Sequence, residues 1–199
     1  MLKNPIPQVT NKLQYRAIGI INGKFTPHSS KQLNRGFLID IKGEKIETVV
    51  LGKALSILKK HIDLKKSYYW VVYPKNKNTQ NLHLQVAGIW DPYQLNDFPN
   101  NSSETNFSKL LEELDLKDNY FSVRGELVFV NSQKKEIVIK ICPATKLKNL
   151  KSKNFKLVIK GELSLELLNC FVSLDVNRDG NALKLIKYEV IEKDLSENN

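Results

Sequence analysis

The chain has 199 residues, with 31 Lys and Arg against 21 Asp and Glu, for a formal net charge of +10. A composition of 41 % hydrophobic and 26 % charged residues is that of an ordinary folded protein and excludes wholesale disorder. No apolar run approaches the roughly 20 residues that span a bilayer, and the first seven residues lack the apolar stretch of a secretory signal, so a cytoplasmic protein with no membrane partner is expected.

In chain order, the first expected strand is residues 15–25 (YRAIGIINGKF), long and rich in Ile. Residues 36–41 (GFLIDI) run through a Lys42-Gly43-Glu44 turn into 45–50, which is a hairpin signal. Within 51–62, Leu51, Ala54, Leu55, Leu58 and Ile62 fall at i, i+3, i+4, i+7 spacing and predict an amphipathic helix. Two more strands follow, 67–74 (SYYWVVYP) and 82–90 (LHLQVAGIW), separated by the polar tip 75–81. Residues 91–103 collect Pro, Asn, Asp and Ser and read as a linker. A short helix is expected next, capped by Ser103 or Thr105, with Phe107, Leu110, Leu111 and Leu114 at helical spacing.

The remaining residues repeat this grammar. Expected strands are 121–130, 136–142, 155–163, 171–176 and 183–191, with a short helix at 164–169 and a turn at Asn177-Arg178-Asp179-Gly180. Gly19 aligns with Gly125 at an offset of 106, and Trp70 with Phe171 at an offset of 101. The matching element order points to a duplication. The expected domains are therefore 1–90 and 119–199, joined by an acidic linker with a short helix at 91–118.

Five strands with one helix between the third and fourth is the order of the OB-fold, a five-stranded Greek-key barrel. A Gly within a long first strand suits it, since that strand bends to join both sheets. The chain thus resembles a mainly β protein of two OB-fold-like barrels in tandem, over residues 14–90 and 119–191. Its first half also resembles a cyanobacterial protein family. The shared pattern is Tyr15-Arg16-Ala17-Ile18-Gly19, Leu51-Gly52-Lys53, Trp70-Val71-Val72-Tyr73-Pro74 and Leu82-His83-Leu84-Gln85. That family carries no assigned activity, so the resemblance speaks to kinship.

Catalytic signatures are absent from the sequence: it has no GxSxG, P-loop, GxGxxG or HExxH. Cys142 and Cys170 lie at apolar strand ends, where a buried reduced thiol is the ordinary finding. His28, His61 and His83 are scattered, without metal-ligand spacing. Asp175 to Gly180 imitates the start of a calcium loop, but Ile186 stands where that loop requires Glu. Asp179-Gly180 instead reads as hairpin turn chemistry. No enzyme activity, metal or cofactor is expected.

The basic charge comes from 27 Lys and only 4 Arg, alongside 20 Asn, a bias that an AT-rich genome also produces. Its distribution is more telling: residues 1–90 carry a balance of +11, residues 91–118 of −5 and residues 119–199 of +4. A cationic object of that density attracts nucleic acid. OB-folds bind across strands 2 and 3 and their flanking loops, which here carry Lys31, Arg35, Lys75 and Lys77. Phe37, Trp70 and Tyr73, with Tyr69 nearby, are the candidate stacking aromatics. Strand alternation sends either Tyr69 and Tyr73 or Trp70 and Val72 inward, and the aligned second repeat favours Trp70 as the outward residue. In the second half Lys146, Lys148, Lys151, Lys153 and Lys156 form a candidate phosphate-reaching arm. The expected function is non-enzymatic binding of single-stranded nucleic acid, RNA in preference to DNA, by a monomer or weak oligomer. The alternative is a protein-interaction module whose lysines face an acidic protein surface on a ribonuclease or polymerase.

Overall fold

The computed structural model describes residues 4–77, 81–91, 109, 111–143 and 153–193, and of Lys77 only the backbone. Among these, the strands are β1 (Arg16–Ser29), β2 (Gln32–Asp40), β3 (Lys45–Val50), β4 (Tyr68–Lys77) and β5 (Asn81–Trp90). They continue with β6 (Tyr120–Asn131), β7 (Glu136–Ile141), β8 (Phe155–Lys160), β9 (Phe171–Asp179) and β10 (Ala182–Glu192). Helix α1 (Gly52–His61) lies between β3 and β4, and a 3-10 turn (Leu165–Leu167) lies between β8 and β9. All ten expected strands are present. Of the helix expected after the linker, residues 109 and 111–113 are helical, and most of the rest lies outside the described residues.

The chain divides into two compact units. The first comprises Met1–Pro7, Gly19–Tyr73 and Leu84–Tyr120; the second comprises Gln8–Ile18, Pro74–His83 and Phe121–Asn199.

In the first unit the hydrogen-bonded order is β2-β3-β5-β4-β1, and a β1–β2 pairing closes the ring. Period-two alternation turns Phe25, Leu38, Ile46, Val50, Trp70, Val72, Leu84 and Val86 into the barrel, all buried. Helix α1 adds Ala54 and Leu58, one turn apart, while Leu51 is left exposed. The β2–β3 turn is fixed by the buried Asp40 carboxylate, whose Oδ1 accepts from the amides of Lys42 and Glu44 at 2.9 Å each. Gly43 there adopts φ +83°, a left-handed conformation that favours glycine.

The second unit repeats the ring as β6-β7-β8-β10-β9, closed by β6–β9. Its core holds Phe121, Val123, Leu127, Ile137, Ile139, Leu157, Ile159, Val172, Leu174 and Val176. Segment 8–18 is tied in by polar and aromatic contacts. Arg16 Nη2 donates to Ser122 Oγ and Arg124 Nη2 to the Lys12 carbonyl, both at 2.6 Å. The Tyr15 ring meets Phe171 edge-on at 5.0 Å. Asp179-Gly180 forms the expected hairpin turn, with Gly180 at φ +58° and its carbonyl held by Arg178 Nη1 at 2.7 Å.

Three expectations are corrected. Trp70 points inward and is fully buried, donating its indole Nε1–H to the Gly23 carbonyl at 2.9 Å. A small barrel needs bulky filling, and that buried carbonyl needs a donor; Trp70 supplies both. The element between β8 and β9 is a single 3-10 turn, too short to pack an apolar stripe as α1 does. The structural counterpart of Gly125 is Gly23 rather than Gly19. A Cβ on Gly23 would lie 2.3 Å from the Ile39 carbonyl oxygen, and one on Gly125 would lie 2.4 Å from that of Lys140. Both glycines therefore mark the same close approach of a first strand to the second.

Candidate nucleic-acid interface

On β1, β2 and β3 of the first unit, the residues between the core positions face outward together. The register places Lys24 opposite Ile39 and Ile39 opposite Lys45 in one row across the three strands. Thr26, Phe37 and Glu47 form the next row, and Arg35 and Val49 the one after. Directly opposed residues share a face, so Lys24, Arg35 and Lys45 surround a half-buried Phe37, with Glu47 as the carboxylate among them. The exposed His28 meets the Phe37 ring edge-on at 4.9 Å. Lys31, in the turn joining β1 to β2, is exposed at the end of the same pair of strands.

This arrangement combines a held aromatic ring with cations on either side and in the adjoining turn. A half-exposed ring on a sheet face can stack on a nucleobase, while lysines and arginine neutralise phosphates.

Of the residues singled out in the sequence, Lys31, Arg35 and Phe37 come together here. Trp70 does not, being in the core. Tyr73 is 41 % exposed but lies on β4, next to Val72, which opposes Gly19, seven residues along β1 from the partner of Phe37. Tyr69 is half-buried, edge-on to Trp90 at 6.0 Å. Its burial, followed by the Asp118 carboxylate, raises its pKa. Lys75 belongs to the second unit, where its Nζ sits 6.0 Å above the Phe155 ring. The side chain of Lys77, and Lys146, Lys148 and Lys151, lie outside the described residues, while Lys153 and Lys156 are exposed. Lys24, His28 and Lys45 were missed by the sequence reading. Their signal was available: each sits two residues from another outward position in a strand whose intervening residues are apolar or Gly.

The second unit presents a comparable sheet face with different electrostatics. Its rows are Glu126–Lys140–Lys156, Phe129–Val138–Val158 and Asn131–Glu136–Lys160. Phe129 is 49 % exposed, but two of the three lysines are ion-paired within the face. Lys140 meets Glu126 at 2.7 Å and Lys160 meets Glu136 at 2.5 Å. The hydrogen bond from Glu126 raises the Lys140 pKa. Cations already engaged by carboxylates offer less to a phosphate, which leaves the first unit with the more cationic face.

Two family models match the chain. Residues 17–97 match the PatR RNA-binding protein, N-terminal OB-fold domain, and residues 123–192 match the cyanobacterial OB-fold-like RNA-binding domain, C-terminal. The chain carries two OB-fold domains in tandem and is similar to a cyanobacterial tandem OB-fold protein family. Comparison with curated proteins finds no match. Among solved structures, the chain is similar to a deletion mutant of the single-stranded DNA binding protein from Thermus aquaticus. That likeness has a TM-score of 0.45 and 8 % sequence identity, covering 94 % of this chain and 99 % of that one. Both rings carry the OB-fold strand order, and both family models describe nucleic-acid-binding domains. Among the described residues, no group of three or more His, Cys, Asp or Glu is placed to hold a metal ion, and no helix is long and apolar enough to cross a membrane.

Proposed function

We propose that the protein binds single-stranded nucleic acid, RNA in preference to DNA, without catalysing a reaction, and does so through the outer face of β1, β2 and β3. The observation that carries this reading is the register that sets Lys24, Arg35 and Lys45 around Phe37. Sheet geometry holds these groups on one surface, so little ordering is needed when a strand docks. Bases stack on Phe37 while the cations and Lys31 follow the phosphates. The preference for RNA is supported by the family models, both of which describe RNA-binding domains.

The test is fluorescence anisotropy with RNA and DNA oligonucleotides of matched sequence, titrated at several salt concentrations. Phe37→Ala is expected to weaken binding by about 1–3 kcal/mol, the value of one base–aromatic stack, and Arg35→Glu to weaken it further at low salt. RNA is expected to bind more tightly than DNA. If neither substitution changes affinity, another surface is responsible. Weak binding indifferent to salt would instead favour the protein-docking alternative, in which the lysines face an acidic protein surface.

A further inference from the structure

Over its second half, strand β10 of the second unit has a strand neighbour on one side only. It meets β8 at a single position, Lys184 opposite Lys160, and from there on pairs with β9 alone. Strand β8 ends at Lys160, and the amide of the next residue, Gly161, donates to the Lys135 carbonyl at 2.8 Å. Where the first unit places α1, this unit has the turn Leu165–Leu167, which buries no side chain. The consequence shows in β10, where Ile186, Lys187, Tyr188 and Glu189 are exposed in succession and neither face of the strand is covered. Ile186 is 64 % exposed and Tyr188 47 %.

An uncovered strand edge is a template for a further strand, and bulges and charges are what normally blunt it. The bulges of β10 lie at Leu185/Lys187 and Val190/Glu192, which leaves Lys187–Val190 in unbroken register with β9. The charges in that run are of opposite sign, Lys187 and Glu189. On β9, Lys187 lies opposite Asp175 and Glu189 opposite Ser173. Among the described residues neither Lys187 nor Glu189 forms an ion pair, whereas Lys184 is engaged by Asp179 and Glu192 by Lys12.

Symmetry decides which strand fits. Two copies of one edge that pair antiparallel about a two-fold axis set one residue opposite its own copy. Centred on Lys187 or on Glu189, the pairing opposes like charges, and centred on Val190 it sets Lys187 against Lys193. Centred on Tyr188, it sets Lys187 against Glu189 twice, Ile186 against Val190 twice and Tyr188 against itself. Directly opposed apolar residues and opposite charges stabilise a strand pair, and like charges weaken it. The edge is therefore complementary to itself in one symmetric register of the four that the straight run allows.

We propose that the protein self-associates through this edge, two copies of β10 pairing antiparallel about Tyr188. The surface is separate from the β1–β2–β3 face and needs no nucleic acid, so either can fail without the other. A short edge buries little area, which makes the association reversible and dependent on concentration.

The experiment is sedimentation velocity on the full chain over a concentration series, without nucleic acid. The wild-type chain is expected to pass from monomer to dimer as concentration rises. Glu189→Lys and Lys187→Glu are each expected to weaken the dimer about tenfold or more, since each sets two like-charge pairs across the axis. An equimolar mixture of the two variants is expected to recover wild-type association, because in the mixed dimer every opposed pair is again of opposite charge. The double variant Lys187→Glu/Glu189→Lys is expected to recover it in the same way. Thermal melts establish that each variant is folded. Lys187→Glu also faces Asp175 on its own sheet; if it does not fold, Ile186→Lys takes its place and is expected to weaken the dimer as Glu189→Lys does.

A wild-type chain that stays monomeric throughout would leave the edge to an extended segment of some other protein and overturn the proposal. So would a dimer indifferent to a folded Glu189→Lys, or two folded, weakened variants that do not recover on mixing.

Discussion

Trp70 and Gly23 share one hydrogen bond inside the first unit, 2.9 Å from indole nitrogen to carbonyl oxygen. Trp70→Phe keeps most of the apolar bulk but leaves that carbonyl buried without its donor, a loss of about 1–3 kcal/mol. Chemical denaturation is expected to show a lowered midpoint with little change in slope. At Tyr15 the linkage runs through pH. Burial, then the neighbouring Cys142 and Glu126, pushes its pKa up to about 12 from the usual 10.0. A raised folded-state pKa means the unfolded chain loses the proton first as pH rises. The stabilisation is therefore complete below about pH 10 and is lost progressively toward pH 12. Denaturation midpoints measured across that window should fall more steeply in wild type than in Tyr15→Phe. Equal slopes would show that Tyr15 titrates as it does in the unfolded chain.

At the scale of elements, the two first strands depend on a glycine where the next strand passes closest. Alanine at Gly23 would press its Cβ to 2.3 Å from the Ile39 carbonyl, and alanine at Gly125 to 2.4 Å from that of Lys140. Backbone atoms cannot swing aside as a flexible side chain does, so each strand pair must separate. Overpacking of this kind costs about 1–3 kcal/mol or more. Gly88 is the control, because a Cβ there meets nothing within 4 Å. Thermal melts of the three alanine variants should show large losses at Gly23 and Gly125 and a small one at Gly88. The loop elements differ for a related reason of packing. Helix α1 buries Ala54 and Leu58 and so has something to rest on, whereas the three-residue turn Leu165–Leu167 buries none of its side chains.

At the scale of the whole molecule, charge governs how the protein meets a polyanion. If Lys24, Lys31, Arg35 and Lys45 each neutralise one phosphate, log affinity should fall against log salt with a slope of about −3, at roughly −0.7 per contact for single strands. Arg35→Glu should make that slope shallower by about one unit or more. A slope near zero in wild type would mean that these lysines serve solubility alone.

Element order and fold class were legible in the sequence because strand alternation and the helical stripe at Ala54 and Leu58 are local patterns, set within a few residues. Even the Lys42-Gly43-Glu44 and Asp179-Gly180 turns announced themselves, since few residues tolerate their backbone angles. What local pattern left open was the face. Tyr69 and Trp70 alternate equally well either way, and only the demand for a large donor beside the Gly23 carbonyl sends Trp70 inward. The grouping of Lys24, Phe37 and Lys45 likewise depends on inter-strand register. Register is a relation between distant segments, settled when the barrel closes and every inward position must be filled at once.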